Sequence, residues 1–460
     1  MIKREQKLNM AMIGTIMTLA WPTMLEQAMQ TAVQYIDTAM VGSLGTYATA
    51  AVGATSTVSW LIGSSTAALG IGFLSYIARS IGAGEEEKAS RASAQAVLVT
   101  LVTGLFFTGL CLGFSQQIPV WMQVDPAIAP LAAQYFFILY APMLPRTAST
   151  IFGMVLRAAG DTKSPMKIGL IVNLMNVVLN FLLIFPTRTV WGMTVPGAGL
   201  GVIGAALASA VAFTFGGIAI AVVLWRHPKI SPKGRKIKPD MEILRPCLKV
   251  ALPNMLQRFG TSLGYVAFAS MVNSLGEVAT AAHTIANTVE SAFYIPGYGM
   301  QTAAATLVGN AYGAKDEKRM KEISSMFLPI EVFLMVISGG ALFVFAPMLM
   351  GIFSDSPEVI SLGSTVLRMV ALSEPFYGVS IIVEGMMQGV GKTKAPFIFN
   401  IIGMWGVRIV GTYACTQMMG FGLVAAWGCM IGHNLLLFAL FLITYLNGGW
   451  NPLTRELKRS

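Results

Sequence analysis

"MVGSLGTYATAA", Met40 to Ala51, returns almost letter for letter as "MVNSLGEVATAA", Met271 to Ala282, an offset of 231 positions (271 less 40). The same offset carries Pro22-Thr-Met-Leu onto Pro253-Asn-Met-Leu and Gly82-Ala83 onto Gly313-Ala314. It also carries "RAAGDTKSP" (Arg157 to Pro165) onto "QGVGKTKAP" (Gln388 to Pro396). One register held over about 140 residues marks an internal duplication, which chance likeness between apolar segments does not produce.

The medium around each copy follows from composition. Hydrophobic residues make up 55% of the chain and charged residues 11%, with a mean hydropathy of +0.67; soluble domains carry roughly 25% charged residues. The chain reads as an integral membrane protein. Pro, Gly and charged clusters cut it into apolar stretches at 13–39, 48–75, 92–115, 128–157, 165–186, 196–224, 244–272, 279–308, 322–347, 358–389, 395–418 and 421–446. Each is near the roughly 20 residues that an α-helix needs to cross the hydrocarbon core. The short alternating segments of a membrane barrel are absent from the sequence, so the fold class is all-α with about twelve transmembrane helices. Each repeat holds an even number of spans, so the two copies enter the membrane in the same direction, as parallel six-helix bundles related by a pseudo-two-fold axis along the membrane normal. The expected domains are a bundle at 1–225, a basic linker at 226–243, a second bundle at 244–450 and a tail at 451–460, the bundles forming a V around a central cleft.

A formal charge of +10 raises the question of nucleic acid. The basic residues answer it by their placement: Lys3, Arg4 and Lys7; Arg79, Lys88 and Arg91; Arg157, Lys163 and Lys167; "RHPKISPKGRKIKPD" (Arg226 to Asp240); "KDEKRMK" (Lys315 to Lys321); Lys392 and Lys394; Arg455, Lys458 and Arg459. All fall on alternate loops, with Arg188 the exception. This is the positive-inside pattern, which places both termini and the linker in the cytoplasm of a multi-pass protein of the inner (cytoplasmic) membrane. No nucleic-acid partner is expected. "MIKREQKLNM" lacks a cleavage site for a signal peptide. Cys111, Cys247, Cys415 and Cys429 stand singly in sequence, without metal-ligand spacing, and are expected to be buried apolar fillers.

The first span carries carboxylates and amides that lipid does not tolerate. At about 100° per residue, taking Glu26 as 0°, Asp37 falls near 20°, Gln30 near 40°, Thr23 near 60°, Gln34 near 80° and Gln27 near 100°. Ala28, Met29, Ala32, Val33, Tyr35 and Ile36 occupy the opposite face. A charge facing lipid at the bilayer centre costs at least about 2.5–3.5 kcal/mol, so the polar stripe is expected to face a bundle interior or a watery cavity. In the fifth span Asn173, Asn176 and Asn180 share one face at i, i+3, i+7 spacing. A carboxylate with amide oxygens is a hard donor set suited to a small cation. Interhelical packing by amides is the competing reading for the asparagines.

Together, "WPTMLEQ" with "DTAMVGSLG", "RAAGDTKSP", "AAHTIANTVESAFYIPGYGMQTAAATLVGNAYGA" (Ala281 to Ala314) and "MWGVRI" (Met404 to Ile409) resemble the multidrug and toxic compound extrusion (MATE) transporters over nearly the whole chain. The resemblance implies secondary antiport, Na⁺ or H⁺ entering as an organic, often cationic, compound leaves. In the branch whose ion site lies in the N-terminal bundle, a first-span aspartate and polar residues of the fifth span form that site. Asp37, Asn176 and Asn180 match those positions, with Asn173 beside them, and would hold the metal ion if it is Na⁺. Asn180 stands where many relatives of that branch carry a second aspartate. Another branch has acidic residues in its seventh and tenth spans; here the alignment gives Thr261 and Tyr377, so an ion site of that design is not expected.

Glu26, Gln30, Gln34, Met29, Tyr35, Glu290 and Glu374 are the candidate substrate-cavity residues, with Met24 and Trp60 as further apolar lining. Internal ion pairs among Arg258, Glu290, Arg368, Glu374, Glu384 and Arg408 are the competing expectation for the second half. "GLGVIG" (Gly199 to Gly204) spells a dinucleotide fingerprint, but no strand is expected before it. "GVGKT" (Gly389 to Thr393) lacks the first glycine of a P-loop, Met386 standing there. His283 is expected to be a satisfied helix-end histidine. The sequence therefore predicts a non-enzymatic, cofactor-free exporter, monomeric, with a small organic substrate, the lipid bilayer and a coupling H⁺ or Na⁺ as its partners. A flippase for lipid-linked glycan precursors is the alternative within transport, and an intramembrane enzyme the alternative outside it.

Overall fold

The computed structural model describes residues 2–53 and 56–457. Positions 54 and 55 of the expected second span, and the end of the tail with Lys458 and Arg459, lie outside the described residues. The first repeat comprises α1 (Ile2–Gly42), α2 (Thr46–Gly53), α3 (Ser56–Gly82), α4 (Glu86–Gly113), α5 (Gln117–Trp121), α6 (Ala129–Tyr140), α7 (Met143–Ala158), α8 (Lys163–Leu183), β1 (Pro186–Val190), β2 (Met193–Ala198) and α9 (Val202–Arg226). The second comprises α10 (Met241–Asn273), α11 (Glu277–Phe293), α12 (Ile295–Gly313), α13 (Glu317–Phe353), α14 (Pro357–Gly389), α15 (Lys394–Ile401), a π-helix at Ile402–Ile409, α16 (Val410–Thr412), a second π-helix at Tyr413–Met418, α17 (Leu423–Leu446) and α18 (Pro452–Leu457).

The protein is an all-α membrane protein. Among the described residues, nine helical segments are long and apolar enough to cross a membrane. The other expected spans have identifiable reasons for reading differently. The stretch 128–157 is broken between α6 and α7 at Pro142, which supplies no backbone N–H. The stretch 279–308 is divided between α11 and α12 just before Pro296. Helix α10 is 33 residues long but carries Glu242, Arg245, Lys249 and Arg258.

Two strands stand outside the helical pattern. β1 and β2 pair antiparallel, and their turn residues Trp191 and Gly192 have φ of 49° and 78°, the sign that a tight hairpin turn demands at both centres. The hairpin also corrects one expectation, because β2 does precede "GLGVIG". Gly204 is nevertheless a packing glycine: a Cβ there would lie 2.5 Å from the Leu183 carbonyl oxygen. The strand belongs to a hairpin, without the strand–helix–strand unit that a dinucleotide site requires.

The chain divides into two compact units, one of Leu25–Ile77 with Glu85–Cys247, the other of the residues up to Met24, Ala78–Gly84 and the chain from Leu248 onward. In the second of these, Ile16 and Ala20 of α1 are buried with Met300, Phe327, Met386 and Phe441. In the other, the basic linker is strapped to the start of α4. Ser90 Oγ donates to the Ser231 carbonyl at 2.6 Å, Gln95 bonds the backbone of Lys238 and Asp240 at 2.7 and 3.1 Å, and Arg91 pairs with Asp240 at 2.5 Å.

The duplication persists in the backbone. Gly45 and its counterpart Gly276 have φ of 109° and 110°, and Gly160 and Gly391 have 87° and 82°. Each follows a helix end where a side chain would strain the left-handed turn. The ends of α3 and α12 cross reciprocally within one unit. A Cβ on Gly82 would lie 1.9 Å from the Asn310 carbonyl oxygen, and a Cβ on Gly313 would lie 1.9 Å from that of Arg79. Arg79 and Asn310 are themselves 231 positions apart, so the same contact is made twice. Substituting Gly82 or Gly313 by Ala should therefore cost about 1–3 kcal/mol or part the helices. Thermal melts in detergent should show a lowered Tm for both, whereas Gly63→Ala, in the interior of α3 with open space at its Cβ position, should melt no lower than the unmodified protein.

Candidate functional site

The α8 asparagines take their order from helical spacing. Asn176 and Asn180 lie one turn apart and are 6% and 1% exposed, whereas Asn173 is half-buried at the end of the same row. Asn180 Nδ2 donates to Asp37 Oδ1 at 2.5 Å and to Asn176 Oδ1 at 2.9 Å, and Asn176 Nδ2 reaches Ser209 Oγ of α9 at 3.5 Å. Asp37, Asn176 and Asn180 thus meet, while among the described residues Asn173 shares no hydrogen bond with them.

Among the described residues Asp37 makes no ion pair. The arginines of the neighbouring spans are occupied elsewhere: Arg157 pairs with Glu26, and Arg146 lies over the rings of Tyr140 and Phe213 at 4.8 and 4.5 Å. Asn180 Oδ1 is buried with no hydrogen-bond partner. A half-buried carboxylate beside an orphaned amide oxygen is an incomplete donor set, and a small hard cation fits it. A proton on Asp37 would serve the carboxylate alone.

The rest of the α1 stripe divides by depth. Gln30 and Gln34 are exposed, Gln27 is half-buried and Thr23 is buried. Exposed amides on a membrane helix require water beside them. Met29 and Ile36 on the opposite face are 38% and 40% exposed, Tyr35 is half-buried and Trp60 is exposed. Met24 packs against Gly299. Glu26 is held by Arg157 of α7 at 2.5 Å, so its charge is balanced within the protein.

The second half overturns the expectation of ion pairs. Among the described residues none of Arg258, Glu290, Arg368, Glu374, Glu384 and Arg408 pairs with an opposite charge. Neutral groups and aromatic faces take those places. Arg258 donates to Asn254 at 2.8 Å, Arg368 to the Phe343 carbonyl at 3.2 Å, and Gln257 to Glu384 at 2.8 Å. Arg408 lies over Tyr265 and Phe268 at 5.2 and 5.5 Å. Glu290 accepts from Tyr294, whose ring meets Tyr377 edge-on at 5.3 Å. Thr261 bonds only its own helix, through the Gln257 and Arg258 carbonyls. Glu374 is fully buried with both oxygens unpartnered, and so is Glu331 of α13, which sequence reasoning passed over. Each needs a proton or a bound cation to offset burial. Phe268, buried, is the counterpart of Asp37 at the offset of 231. His283 is satisfied as expected, accepting from Trp427 Nε1 at 3.1 Å.

The geometry can be set beside known proteins. The MatE family model matches residues 22–182 and again 253–414, and its two matches begin 231 positions apart. The chain is similar to a probable multidrug resistance protein NorM of Thermotoga maritima, at 26% identity over 96% of this chain and 94% of that one. It is also similar to the probable multidrug resistance protein YpnP of Bacillus subtilis, at 26% identity over 88% of each. In fold it matches a solved MOP-superfamily transporter from Pyrococcus furiosus with a TM-score of 0.87, at 24% identity over 96% of each chain.

The Glu26–Arg157 pair is the site's clearest energetic claim. Glu26→Gln and Arg157→Met should each destabilise, Arg157→Met by about 3 kcal/mol, because it takes the cation from the largely buried Glu26 carboxylate. The double variant should lose less than the sum of the two; strictly additive losses in melting experiments would show that the side chains do not interact.

Proposed function

Since the chain belongs to the MatE family of transporters, we propose that it exports organic compounds, principally cations, in exchange for Na⁺ or H⁺ by alternating access. Asp37 carries this reading: it is a membrane carboxylate without an ion-pair partner, held by Asn180 next to an unpartnered amide oxygen. Neutral amides fix its position and leave its charge for a small cation, a proton or a cationic substrate. One carboxylate cannot neutralise two cations at full strength, so occupancy by the coupling ion weakens substrate binding, and the reverse holds equally. The energy of the ion gradient then favours the state from which substrate leaves. The exposed amides of Gln30 and Gln34, with Glu26 on the same stripe of α1, are the proposed substrate lining.

Two further assignments belong to this proposal. The basic loops set both termini and the linker in the cytoplasm, and a single chain contains the whole proposed site, so a monomer suffices. No cofactor beyond the coupling ion is invoked.

Efflux from proteoliposomes under a Na⁺ gradient alone, then under a pH gradient alone, identifies the coupling ion. Asp37→Asn should abolish gradient-driven efflux in whichever arm is active while the protein remains folded; normal efflux by that variant would sink the assignment. In detergent, raising the concentration of that ion should weaken equilibrium binding of a fluorescent cationic dye, and Asp37→Asn should remove the dependence. Gln34→Trp should change which substrates are exported and Ile36→Trp should not, equal effects counting against a cavity along the stripe.

A further inference from the structure

Cys415 and Cys429, 14 residues apart and expected to be buried apolar fillers, lie side by side. The Cys429 thiol points at Cys415 with 3.8 Å between the sulfurs, and both residues are half-buried, whereas Cys111 and Cys247 are buried. Gly411, one turn before Cys415, leaves the space that Cys429 fills: a Cβ there would lie 3.1 Å from Cys429 Sγ. Each cysteine is near the turn that joins the two helices. Cys415 is three residues before the end of the π-helix Tyr413–Met418, and Cys429 is six residues into α17, within about 9 Å along its axis.

The local backbone gives the pair a consequence. A π-turn closes its hydrogen bonds over one more residue than an α-turn, and such turns persist where the surroundings hold them. Returning Tyr413–Met418 to α-geometry would change the rotation of Cys415 about the helix axis and so its alignment with Cys429. The thiol pair is thus set by the π-helical end of this span.

We propose that Cys415 and Cys429 are a redox-modifiable latch, closing to a disulfide that fixes the π-helical end of this span against α17. The oxidant is a small disulfide arriving from the side of the Met419–Gly422 turn, which the proposed topology makes the extracytoplasmic, oxidising side. One cysteine thiolate attacks a sulfur of that disulfide and expels a thiolate. The other cysteine then attacks the resulting mixed disulfide and expels the second. Two protein thiols are oxidised, one external disulfide is reduced to two thiols, and the two protons leave with them.

The test treats the purified full chain in lipid nanodiscs with 2-hydroxyethyl disulfide, then denatures it and counts the thiols that react with N-ethylmaleimide. The count should fall from four to two, with a peptide map joining Cys415 to Cys429. Four remaining thiols, persistent mixed adducts, or a disulfide through Cys111 or Cys247 would overturn the assignment. Amide hydrogen exchange across Tyr413–Met418 should slow by about tenfold on oxidation and recover on reduction. Cys429→Ser should show no slowing. Disulfide formation with unchanged exchange would refute the latch. Neither measurement depends on what the protein transports.

Discussion

In lipid no water is available to hydrogen-bond a peptide group, so each spanning segment must satisfy its backbone within itself or against protein. The irregular elements of this chain follow that constraint. The one hairpin among the described residues falls between α8 and α9, with Trp191 at its turn 96% exposed. Where Pro142 and Pro296 remove donors, the chain ends one helix and begins another. The two π-helices between Ile402 and Met418 keep their bonds internal while changing the pitch. The same constraint makes buried side-chain charge costly, and the structure meets that cost in three ways. Arg157 balances Glu26, aromatic faces cover Arg146 and Arg408, and Glu331 and Glu374, buried without a hydrogen-bond partner, need a proton or a bound cation to neutralise them.

The treatment of Asp37 differs from all of these. It is neither paired with a cation nor sealed away, but held by an amide whose own oxygen has no partner. A group built for stability alone would be better replaced by an apolar side chain of similar size. At the equivalent position of the second repeat the side chain is apolar and larger, the buried Phe268.

Much of this was legible in the sequence because it depends on short-range periodicity. The repeat, the apolar spans and the Asn176/Asn180 row come from spacing along one helix, and Asp37 stood out because lipid does not accept it. The missed features depend on distance in space. Glu26 and Arg157 are 131 residues apart, and nothing in either segment announces the other. Cys415 and Cys429 carry no motif, and one of them lies on a π-helix, for which composition gives no signal. The expected ion pairs of the second half failed because mixed charge in a segment says nothing about facing directions. The hairpin was hidden in a stretch too short to show alternation, although Trp191-Gly192 between Thr189-Val190 and Met193-Thr194-Val195 was a turn signal.

The reciprocal crossing at Gly82 and Gly313 has a consequence for how the two copies can change through descent. After a duplication, each copy is ordinarily free to accumulate substitutions while the other preserves the ancestral arrangement. Here each copy's glycine is required by the backbone of the other, Gly82 by Asn310 and Gly313 by Arg79. A substitution in either is felt at the same joint, and no side chain elsewhere can compensate for a backbone oxygen. The joint therefore stays twinned, while away from it the copies are free to part, one keeping an aspartate where the other has a phenylalanine.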